Sequence, residues 1–227
     1  MKKLTLCCLV LLFPLNLNAF EIQQGVSSPS HRIRCSAPLK KSAKRIPWEV
    51  RIFKKRYNDW VLNKILKKIV FCGKLVRGPY AWMRGTYVEG NVATLWVEID
   101  KKDDTQAILH HEMSSILLHS LPRHTKYRFK QKWKQYSNRG YNIDHDNHGY
   151  VVKPLLQRDG FLYDYCLTSF ENDFNFIASF HLTSWLKRKL VKASKTHYRI
   201  KSKYDLMLTL YKDQKWIPKK RKKHFWE

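Results

Sequence analysis

The stretch that most constrains the fold runs from Gly85 to Pro122. In GTYVEGNVATLWVEID the apolar and aromatic residues recur around Tyr87, Val88, Val92, Leu95, Val97 and Ile99. Gly90 and Asn91 stand where a turn is needed, so a β-hairpin or a pair of strands is predicted. Asp103, Asp104 and Thr105 then supply helix-start side chains, and a helix is expected from Gln106 to Leu121, where Pro122 stops it. Strands followed at once by a helix of this length call for a sheet with helices packed on it, an α+β fold.

That helix carries ILHHEMSSILLHS. Positions i and i+4 share a helix face, which is how an HExxH string can offer two imidazoles to one metal while its glutamate faces a bound water. Here His111 and Glu112 occupy the first two places, and Ser115 stands where the second histidine would be. Of the other histidines, only a pair in a loop is left as a possible replacement ligand. His110 points about 100° away around the helix, and His119 lies about 12 Å further along the axis, too far for a shared site. His145 and His148 fall in the polar stretch DHDNHGY, read as a loop.

Elsewhere, Trp48 to Val70 spaces Phe53, Tyr57, Trp60, Val61, Ile65 and Ile69 by threes and fours and reads as one amphipathic helix. Arg123 to Asn147, rich in bases and aromatics, reads as a long, partly ordered excursion. Two helical stretches follow: FLYDYCLTSFENDFNFIASFHLTSWL, with Glu171 after Thr168 and Ser169, and IKSKYDLMLTLYKDQ.

The chain of 227 residues is long enough for one domain with a real core. Residues 1–19 have a basic start (Lys2, Lys3), an apolar run from Leu4 to Leu15 and a small-residue exit at Ala19, the pattern of a signal peptide. The run is shorter than a bilayer span needs, so an exported protein, periplasmic or secreted, is expected. Residues 20–45 read as a flexible basic entry segment, 46–217 as the folded domain and 218–227 as a basic tail. Of the cysteines beyond the leader, Cys35 and Cys72 are the expected disulfide and Cys166 the free thiol.

The formal net charge of +26 favours anionic partners, such as an envelope surface or another polyanion. Bases interleaved with aromatics in HTKYRFKQKWKQYSNRGY also suit nucleic acid. That class is the weaker one, because no binding-module signature accompanies the segment.

The run ILHHEMSSILL, with DGFLYDYCLTSFENDFNFIASF after it and IKSKYDLMLTLY near the end, resembles exported bacterial zinc-binding metallopeptidases of the gluzincin type. In that family the HExxH helix precedes one reading approximately GFxxxYAxxxxxEDFAE, and a lysine-containing terminal helix follows. The resemblance implies a zincin-like fold with a small, mainly antiparallel sheet packed on several helices. It also implies zinc as cofactor and a peptide or protein as substrate. Matched position by position, His111 and Glu171 would be metal ligands, Glu112 the general base and Asn175 the polar group orienting Glu171. Ser115 departs from the pattern at a metal position. Two functions follow from it: a zinc-dependent peptidase, or an inactive zincin-fold protein that binds peptides or anionic envelope components.

Overall fold

A computed structural model describes residues 20–78, 80–83, 85–88, 93–101, 104–141 and 154–219. The leader, the Gly90 and Asn91 turn, His145 and His148, and the tail from residue 220 lie outside them.

The chain opens with β1 (Glu21–Gln24) and β2 (Ile33–Cys35), then three short helices, α1 (Lys40–Ala43), α2 (Ile46–Lys54) and α3 (Asp59–Ile65). Five strands follow: β3 (Leu66–Cys72), β4 (Leu75–Arg77), β5 (Tyr80–Met83), β6 (Gly85–Val88) and β7 (Ala93–Glu98). The rest is helical, with α4 (Thr105–His119), α5 (Arg123–Lys134), α6 (Pro154–Arg158), α7 (Phe170–Leu182), α8 (Ser184–Thr196) and α9 (Tyr198–Asp213).

The main sheet has the order β1-β3-β7-β6, and β2-β4-β5 form a second, antiparallel sheet. Alternation along β3 and β7 sorts their side chains onto two buried faces. Ile69, Phe71, Leu95 and Val97 join the large core shared with the helices, while Val70, Cys72 and Trp96 meet Ile33, Cys35 and Leu75 in a small core on the other side. Burial on both faces fits the unbroken apolar run from Ile69 to Cys72 in the second half of β3. The Cys35–Cys72 disulfide lies in the small core, and Cys166 is free and buried.

α4 is the central helix. Asp104 caps it by accepting from the amides of Gln106 and Ala107, which satisfies two of the donors that a helix start leaves open. Gln106 ties it to α2 by donating to the Glu49 backbone carbonyl and carboxylate. Its buried residues include Leu109, His110, Met113, Ser114, Leu117 and Leu118, and α7 packs along it.

The mixed helix-and-sheet class agrees with the α+β expectation, but several local expectations are corrected. The main sheet is mixed, since β1 and β7 both run parallel to β3 and β6 alone is antiparallel to its neighbour. Residues 20–45 are not a loose entry segment: β1 and β2 pair into the two sheets, and the Ser27 hydroxyl accepts from the Cys35 amide. Trp48 to Val70 is two helices and most of a strand. The break near Asn58 resets the helical phase, leaving Trp60 exposed while Val61 and Leu62 are buried, and Ile69 and Val70 gain ladder partners on both sides. Arg123–Lys134 is a regular helix anchored by Phe129 and Trp133. The pair β6 and β7 and the helix starting after Asp104 stand as expected.

Candidate functional site

The site lies where α4 passes between the start of α7 and strand β6. Among the described residues β6 is the end strand of the main sheet, and Gly85 is what lets it lie against α4. A Cβ on Gly85 would sit 2.6 Å from Ile108 Cγ2 and 3.1 Å from both Cγ and Oε1 of Glu112. β7, the strand that leads into α4, is interior, between β3 and β6.

His111 and Glu112 are partly buried, side by side on α4. The His111 ring meets Phe176 of α7 edge-on at 5.2 Å. Burial pulls its pKa down to about 4, against the opposing pull of the Glu171 charge and a hydrogen bond with Asn172. Burial also pushes Glu112 up to about 8, helped by Glu171 and opposed by Arg77. At neutral pH the pair is therefore a neutral imidazole beside a carboxyl that is largely protonated.

Glu171 sits in the first turn of α7, after the N-cap Ser169 that accepts from the Asn172 amide. That is a helix-start position favourable to an acid, and it also aims the side chain at α4. One carboxylate oxygen accepts from the Tyr87 hydroxyl of β6 at 3.5 Å, the other from His119 Nε2 at 2.9 Å. Lys126 of α5 lies 3.2 Å from His119 Nδ1, so the Nε2–H tautomer satisfies both contacts. Burial alone would raise the Glu171 carboxyl. The His119 hydrogen bond, with help from Ser115 and Lys126, holds it below its ordinary value instead. His119, too distant along α4 to share a metal with His111, meets the same carboxylate because α7 crosses at that end of the helix.

Ser115 is buried and its hydroxyl accepts from Asn175 Nδ2 at 2.5 Å. Asn175 thus bonds the serine at the place of the missing histidine, rather than orienting Glu171. Its own carbonyl oxygen has no partner within the described residues.

Zinc sites in proteins take three or four side-chain ligands from Cys, His, Asp and Glu. Among the described residues no three such groups come together to hold a metal. Of the expected set His111, Ser115 and Glu171, the serine hydroxyl is taken up by Asn175 and both Glu171 oxygens by Tyr87 and His119. The described donors therefore do not fit a zinc centre.

Sequence reasoning missed the roles of His119, Tyr87, Lys126 and Gly85. The i, i+4, i+8 spacing of His111, Ser115 and His119 on one helix face was the available signal for the first of these.

No family model matches the chain, and no curated protein matches it. Among solved structures it is similar to the crystal structure described as a "putative zinc-binding metallo-peptidase" from Bacteroides caccae, with a TM-score of 0.56 and 12% identity. The similarity covers 90% of this chain and 83% of that one. At that identity it is the fold that is shared.

Proposed function

We propose that this protein binds peptides in extended form along β6, on a metallopeptidase scaffold whose catalytic metal centre has degenerated. One observation carries the reading. Among the described residues β6 is the end strand of the main sheet, and Gly85 lets it lie directly against the helix bearing His111 and Glu112. The end strand of a sheet is where a peptide adds as a further strand through backbone hydrogen bonds, and neighbouring Tyr87 and Glu171 would meet its side chains. The loss of metal chemistry rests on Ser115, whose hydroxyl bridges α4 to α7 through Asn175. The likeness to a zinc-binding metallo-peptidase supports a peptide as the ligand class.

A second reading, zinc-dependent hydrolysis with Glu112 as general base, draws on one feature. Glu112 has a pKa of about 8 beside β6, which suits proton transfer near neutral pH. It needs ligands beyond those the described residues supply.

The test measures zinc content by mass spectrometry and incubates the protein with a mixed peptide library, scoring both retention and cleavage. Peptide retention without zinc and without cleavage supports the binding reading. About one zinc per chain, lost in His111→Ala, with cleavage lost in Glu112→Gln, establishes the hydrolase instead. Neither retention nor cleavage overturns both.

A further inference from the structure

Helix α8 has two chemically distinct faces. Its apolar face, Leu186, Leu190 and Ala193, is buried in the core. On the outside, Ser184, Lys187, Arg188, Val191, Lys192 and Lys195 follow one another at helical spacing and line a single shallow groove. In the sequence, no Asp or Glu occurs between Asp173 and Asp205.

Aromatic residues stand at both ends of this basic row. Trp185, 49% exposed, begins α8 and carries the Lys189 ammonium 5.0 Å from its ring centroid. Tyr198, 63% exposed, opens α9 just after α8 ends, with the Arg199 guanidinium 4.6 Å from its ring. The helix of 13 residues spans about 20 Å between them. The start of α8 is also tied to the last part of the described chain. Arg56 donates to the Ser184 hydroxyl, and nearby Asn58 donates to the Lys215 and Ile217 carbonyls. The basic run Lys219 to Lys223 begins two residues beyond Ile217.

We propose that the outer face of α8 docks the protein on an anionic phospholipid bilayer, with Arg188, Lys192 and Lys195 among headgroup phosphates and Trp185 and Tyr198 at the interface. Charge complementarity supplies the attraction, since bases near an anionic bilayer act additively and are screened by salt. The aromatic–cation pairs select this occupant over a nucleic acid. Trp and Tyr favour the boundary between headgroup and hydrocarbon, where the ring is half immersed and its cation stays wet. No helix among the described residues is long and apolar enough to cross a membrane, so this contact is peripheral.

The experiment is vesicle co-sedimentation of the purified protein. One set of vesicles holds equal parts of phosphatidylglycerol and phosphatidylcholine, the other phosphatidylcholine alone. Two triple variants lose the same charge: Arg188→Gln with Lys192→Gln and Lys195→Gln on α8, and Arg128→Gln with Lys132→Gln and Lys134→Gln on the exposed side of α5. Circular dichroism checks that both fold. The protein is expected on the anionic vesicles only, with binding that falls as salt rises. The α8 variant loses about a hundredfold in affinity, at about fivefold per base, while the α5 variant changes severalfold at most. Equal losses in the two variants would mean that net charge alone is at work and would overturn the surface. No binding to anionic vesicles, or binding to single-stranded DNA or polyphosphate without binding to vesicles, would overturn the bilayer as partner.

Discussion

The side-chain amide of Asn175 donates to the hydroxyl of Ser115 across the α4–α7 contact, at 2.5 Å between buried atoms. The bond joins residues 60 apart in sequence and occupies the position where a second zinc histidine would sit.

Ser115→Ala should destabilise the protein by about 1–3 kcal/mol, because it leaves a buried amide whose carbonyl oxygen already lacks a partner among the described residues. Urea denaturation checks the loss. A change within about 0.5 kcal/mol would mean that Asn175 finds another partner. The fold should survive, since Leu109, Met113, Leu117, Phe174 and Ile177 still supply the shared apolar core.

The titration of Glu112 and His111 gives stability a pH dependence whose sign can be worked out. Glu112 is raised from 4.5 to about 8, so between those values the folded state holds a proton that the unfolded state has released, and stability falls as pH rises. His111 is lowered from 6.5 to about 4, and His181 to about 3, so these histidines favour folding increasingly up to about pH 6.5. From about pH 6.5 to 8 the Glu112 contribution stands without theirs. It should cost at most about 2 kcal/mol, less for its partial exposure. Comparing unfolding midpoints at the two ends of that window for the native protein and Glu112→Gln isolates it. Equal slopes in the two proteins would contradict the assignment.

Lys203 and Asp173 form a fully buried ion pair. The ammonium donates to Asp173 Oδ2 and the Gly160 carbonyl, both at 2.7 Å, and Trp133 and Tyr141 donate to the same carboxylate oxygen. Lys203→Met should cost about 3–5 kcal/mol, because it strands a buried carboxylate. Adding Asp173→Asn should recover part of that loss, so the double variant is more stable than the sum of the single effects requires. Strict additivity in a double-mutant cycle would show that the pair is not coupled.

The Cys35–Cys72 link closes a loop across 37 residues between β2 and the end of β3. Replacing both cysteines with serine should lower stability by about 3–4 kcal/mol through the freer unfolded chain. Thermal unfolding of the variant beside the native protein measures it. Cys166 should stay unreactive toward thiol reagents until unfolding, as burial pushes its thiol pKa up.

Where the determinants were local, the sequence alone was enough. The Asp104 cap, the Pro122 stop and the alternation through Leu95 and Val97 each act within a few residues, and they placed α4, β6 and β7 in order. They also put His111, Glu112 and Ser115 on one helix. The disulfide partners were expected from their position in the chain, and the small core on the far face of β3 brings them together.

Tertiary structure decided the rest, because it depends on contacts between segments far apart in sequence. Leu66 opens β3, where the three-and-four spacing through Ile65 and Ile69 had predicted more helix. The strand wins there because Ile69 and Val70 gain ladder partners from β1 and β7. Among the described residues, sheet order put β6 at the end and β7 inside, a choice no hairpin pattern contains. The crossing of α7 over α4 turned His119 toward Glu171, 52 residues away, and engaged Ser115 with Asn175. Those partners, rather than the HE motif itself, determine that the described side chains build a hydrogen-bonded clasp where a metal centre was expected.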